Sequence, residues 1–89
     1  MADDDVPTRE ELEALQEQLA GFDVEQFLVS AASTIASLAY AKLDRDDLDQ
    51  AKKAIDALAD LIPHLEGELK PDLELALSRL QLAYVDAAS

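Results

Sequence analysis

The chain has 89 residues, a net charge of −13 and no cysteine. That length allows one domain, and the missing cysteines remove disulfides, thiolate zinc sites and thiol catalysis together. Seven basic residues against twenty acids leave no positive surface to displace counterions from a nucleic-acid backbone or to sit on an anionic membrane.

Residues 1–7, MADDDVP, have the composition of a disordered acidic tail. They lack the apolar run of a signal peptide, so the expected location is cytoplasmic. Residues 8–89 read as a single helical domain. A domain of this size buries only about 60–65% of the surface its unfolded chain exposes, so its core is marginal unless a partner adds to it.

Thr8-Arg9-Glu10-Glu11 fits a capping box, with Thr8 as N-cap and Glu11 three residues later. Leu12, Leu15, Leu19 and Phe22 follow at 3-4-3 spacing, one narrow apolar stripe on a short helix that Gly21 ends. The rest of this helix is polar, so it is expected on the outside.

Asp23-Val24-Glu25-Gln26 starts a second helix, with Asp23 as cap and Gln26 as its partner, running to about Lys42. Within it, FLVSAASTIASLAYA, residues 27–41, carries no charge. Fifteen helical residues rise roughly 22 Å against a hydrocarbon core of about 30 Å, too short for a membrane span. Val24, Phe27, Leu28, Ile35 and Leu38 fall in one arc roughly 100° wide, the expected core stripe. Ser30, Ser33, Ser37 and Ala41 fall on another side, with Val29, Ala36 and Tyr40 completing much of the remainder. Small residues at spacings of three and four let another helix come close, and their hydroxyls can bond back to the preceding turn. A helix neutral all round belongs inside something, and a chain this short has few helices to enclose it.

After the connection Lys42-Leu43-Asp44-Arg45, the acids Asp44, Asp46, Asp47 and Asp49 favour a helix N-terminus. Leu48, Ala51, Ile55, Leu58, Ile62 and Leu65 then recur at 3-4-3-4-3 spacing, and Pro63 should stop the α-helix near Ile62. Gly67 and Lys70-Pro71 mark the next turn, with Pro71 at the first position of the last helix. Leu69, Leu73, Ala76, Leu80, Ala83 and Ala87 form its stripe, thickened by Leu77 and Tyr84. Leu75 and Leu82 lie roughly opposite. No run alternates like a strand. The fold class is all-α: three main helices in a small bundle plus a short amphipathic N-terminal helix, completed by oligomerisation.

No catalytic, cofactor or metal residues emerge. His64 is the sole histidine and, without cysteine, no nucleophile has a base to serve it. The Asp44–Asp49 run fails as an EF-hand, because Leu48 takes the fifth position and Asp49 the sixth, where glycine belongs. Helix capping suits it better. Tyr40 and Tyr84 read as core-edge residues, and only Gly21 and Gly67 are present to build a phosphate loop.

From about Phe22 to Val85 the chain resembles a known family. The pieces are FDVEQFLVSAAS, the frame Asp47-Leu48-Asp49-Gln50-Ala51-Lys52-Lys53-Ala54-Ile55-Asp56-Ala57-Leu58, the turn Gly67-x-Leu69 and the late Leu80 to Tyr84-Val85. In that order they resemble DUF1844, small bacterial proteins of unknown function. The resemblance implies a helical fold and leaves the activity blank. This chain departs from the family in the turn, where His64-Leu65-Glu66-Gly67-Glu68-Leu69-Lys70 replaces a basic Thr-capped sequence, and in Leu80-Gln81-Leu82-Ala83-Tyr84, where family arginines are absent.

The function expected is that of a non-enzymatic helical interaction protein forming a homo-oligomer through Ser30, Ser33, Ser37 and Tyr40, with Leu75 and Leu82 joining the contact or serving another partner. A glutamate at Ser33 or Ser37 should then cost assembly and folding together. The alternative is an acidic adaptor for a basic, translation-linked protein. A third reading is an enzyme or ligand binder using a pocket between helices.

Overall fold

A computed structural model describes residues 6–89, so most of the expected acidic tail, residues 1–5, lies outside the described residues. Four α-helices follow in order: α1 (Arg9–Ala20), α2 (Val24–Asp44), α3 (Leu48–Leu61) and α4 (Lys70–Ala88), with a 3₁₀ turn at Ile62–His64. No strand occurs among the described residues.

The helix ends follow local chemistry. Thr8 Oγ1 accepts from the Glu11 N–H at 3.1 Å, Asp23 Oδ1 from the Glu25 N–H at 2.9 Å, and Asp47 Oδ1 from the Gln50 N–H at 3.4 Å. Each satisfies one of the N–H groups a helix start leaves unpaired. The α2–α3 turn closes with the Asp47 N–H donating to the Lys42 carbonyl at 2.9 Å. Asp46 there takes a left-handed conformation, φ 56°, which aspartate tolerates better than bulkier residues. Pro63 stops α3 at Leu61, as its missing N–H and ring demand. α4 starts without a side-chain cap and has Pro71 in its first turn.

One long-range bond fixes the far end. Glu25 Oε1, in the first turn of α2, accepts from the Glu66 N–H at 2.7 Å. The chain then reverses at Gly67, whose φ of +112° disfavours any side chain. Glu25→Ala is expected to lower stability by about 0.5–1.5 kcal/mol, the net value of one such bond. Urea titration of the two proteins would show it, and an unchanged midpoint would mean water replaces the carboxylate without loss.

α2 packs most extensively on α3, and α4 packs against both. The core comprises Ala32, Ala36 and Ala39 of α2, Ile55 and Leu58 of α3, Ile62 and Leu65 beyond it, and Leu73 and Leu80 of α4. Leu28, Val29, Ile35, Leu43, Leu77 and Tyr84 are half-buried around it. The seam expected on α3 faces inward. So do Leu73 and Leu80 of the α4 stripe, while Leu69 and Ala87 at its ends are exposed.

The stripe expected on α2 is corrected. Leu28 and Ile35 are half-buried, but Val24, Phe27 and Leu38 are 68, 65 and 50% exposed. The buried line is instead Ala32, Ala36 and Ala39, ending near Leu43. The reason is volume. α3 and α4 bring branched leucines and isoleucines to the centre, and close packing then needs small partners on the facing helix. Alanine lets the helices approach, and the bulky side chains of α2 are left outside.

α1 buries none of its residues. The Cα radius of gyration is 17.4 Å, against about 12 Å for a compact domain of this length. The molecule measures 53 × 37 × 16 Å. It is long, thin and incompletely packed.

Candidate interaction surface

Among the described residues, three apolar faces are left without a partner. The first lies on α2. Phe27, Ala31 and Leu38, at helical spacings of four and seven, share one side with Val24 and the half-buried Ile35. Beside them runs a groove between α2 and α3, lined by Ile35 and Leu38 on one side and Ala54 and Ala57 on the other. Lys42, Gln50 and Lys53 rim it. The groove holds about 220 Å³, small beside the roughly 300–1,000 Å³ of a typical small-molecule pocket. Alanines on its floor and bulky walls give it the shape of a seat for side chains.

The second face is the α1 stripe. Leu12, Leu15, Leu19 and Phe22 are all exposed, on a helix that meets no other face. The third is on α4. Leu75 and Leu82 are 51 and 72% exposed, with Val85 near them in the sequence also exposed. They lie across the helix from the buried Leu73 and Leu80, and so point away from α2.

Ser30, Ser33, Ser37 and Tyr40 are exposed along α2. They lie on a different side of it from both the buried alanines and the Phe27–Leu38 face. Thr34, between them, donates its hydroxyl to the Ser30 carbonyl at 3.0 Å, the back-bond expected of hydroxyls on this helix. Because Ser33 and Ser37 are wet in one subunit, a glutamate at either place leaves the subunit's own fold intact. Any cost falls on assembly alone. The structure also exposes Val24, Phe27 and Leu38, three bulky residues that the α2 pattern assigns to the core. The signal that separates them is the 4-3-4 line Ala32, Ala36, Ala39, Leu43, which shares the period of the α3 seam.

Charge is spread thinly around these faces. The Lys52 ammonium donates to Asp56 Oδ2 at 2.8 Å one turn on, and that bond holds it above the ordinary lysine range. A raised lysine gives folding its full support below the unfolded pKa and loses it as pH rises through the folded one. Both groups are exposed, so the pair contributes little. Lys42 pairs with Asp47 at 3.8 Å. Among the described residues no three acidic or histidine side chains converge as a metal site, and no helix is long and apolar enough to cross a membrane.

Compared with family models, curated proteins and solved structures, the chain matches none.

Proposed function

We propose that this protein is a non-enzymatic helical interaction module that assembles with itself. The observation that carries the reading is α2. It turns alanines toward its own core and leaves Val24, Phe27 and Leu38 in water beside an apolar groove. Contiguous exposed apolar surface of this kind marks a contact site in a soluble protein. A second copy adds burial to a core that is small at this length. The DUF1844 resemblance fits a small helical protein.

Acidity favours a second reading, an adaptor docking on a basic protein. Salt separates the two. Copies that each carry −13 repel one another, so screening strengthens self-association driven by apolar burial. Binding to a basic partner weakens with salt. Thermal unfolding should therefore shift upward with protein concentration, since association stabilises only the folded form. It should also shift upward between about 10 mM and 500 mM salt, a range over which the Debye length falls from about 30 Å to a few Å. A midpoint independent of concentration would remove the first reading. Salt-labile co-purification with a basic protein would favour the second.

A further inference from the structure

We infer that α1 of one copy docks in the α2–α3 groove of a second copy, which returns its own α1 in exchange. This rests on the self-assembly reading and names its contact. α1 has twelve residues, about 18 Å of helix, and the segment Phe27 to Leu38 spans about 17 Å. Each carries an apolar stripe that is largely exposed among the described residues.

Charge sets the direction. α1 has Glu11 beside its leucine stripe toward the N-terminus, whereas the rim of the groove has Lys53 and, paired with Asp47, Lys42. Antiparallel to α2, Glu11 comes level with Lys53, Leu12 comes beside Leu38, Leu15 beside Ile35 and Ala57, and Phe22 beside Phe27. The parallel arrangement would bring the neutral Gln16 and Gln18 to that end of the groove. Exposed ion pairs fix register more than strength.

The connection explains why the helix goes to another molecule. The Gly21 N–H donates to the Gln18 carbonyl at 3.2 Å and the Phe22 N–H to the Leu19 carbonyl at 3.1 Å, while Asp23 caps α2. Gly21 is right-handed, φ −84° and ψ −7°, where a turn sending a helix back on itself commonly uses a left-handed glycine. With these bonds in place the α1 stripe is held off its own groove. Reciprocal exchange between twofold-related copies makes every contact twice.

The chain has no native cysteine, so cross-linking reads the contact directly. Leu15→Cys in one preparation and Ala57→Cys in an isotopically heavy second preparation are mixed and oxidised mildly. Both positions are exposed, and circular dichroism checks that each variant keeps its helicity. The expected product is a mixed covalent dimer of twice 9.7 kDa, formed at least about ten-fold faster than with Ser78→Cys, on α4, in place of Ala57→Cys. A chain bearing both cysteines that closes on itself as a disulfide-bonded monomer overturns the exchange, because α1 then folds back in cis. A non-covalent dimer without the Leu15–Ala57 link also overturns it but leaves self-assembly standing. A monomer under all conditions removes both.

Discussion

Phe27→Glu should convert the assembly to single subunits while leaving the helices intact. Phe27 is 65% exposed in the subunit, so a glutamate there remains in water and the α2–α3–α4 core does not feel it. In an assembly the same carboxylate would be buried without a partner. Truncating or charging a central aromatic contact typically costs about 2–4 kcal/mol, and twofold symmetry counts the change twice. Dissociation should therefore strengthen by more than about 10³-fold, since each 1.4 kcal/mol is a factor of ten. Ser33→Glu is the matched control. It adds the same charge to the same helix on a different side, and it should weaken assembly far less if the Phe27–Leu38 face makes the contact. Sedimentation velocity on the two variants decides. Equal effects would shift the contact toward the serine face, and no effect from Phe27→Glu would remove this face from any interface.

The largest effect on the subunit itself is expected from Leu58→Ala. Leu58 is fully buried where α2, α3 and α4 meet. Removing its branched end loses burial and leaves a cavity that the surrounding alanines cannot fill, a cost of about 2–5 kcal/mol. A chain of 89 residues at roughly 0.05–0.15 kcal/mol per residue has about 4–13 kcal/mol in total. Loss on that scale removes from about a seventh of the stability to all of it, and leaves a substantial unfolded fraction at the low end. Urea unfolding followed by circular dichroism measures it. A change below about 1 kcal/mol would mean that the core rearranges around the site instead of holding a cavity.

Local chemistry made most of the helix boundaries legible. Thr8, Asp23 and Asp47 cap where their side chains suggest, and Pro63 breaks α3 where its missing N–H requires. The seam on α3 was legible because that helix has a clear wet side carrying Lys52, Lys53, Asp56 and Asp60. α2 offered no such contrast. With hardly a charge along it, periodicity favours no face, and the larger side chains naturally suggest themselves as the core. Which face turns inward depends on the volumes that α3 and α4 bring to it, a property of the pair and not of the segment. For the same reason the Phe27–Leu38 face was hidden in the sequence, while Leu75 and Leu82 were visible as outward leucines on a helix with a defined stripe. Glu25 reaching Glu66, forty-one residues away, had no local signature at all.

The mass of the unmodified protein in dilute solution bears most directly on whether a second copy covers the exposed face of α2. Light scattering across a dilution series from about 100 to 1 μM should give at least twice the 9.7 kDa chain mass at the concentrated end, decreasing only on dilution. A constant 9.7 kDa throughout would contradict the account, for Phe27 and Leu38 would then remain in water.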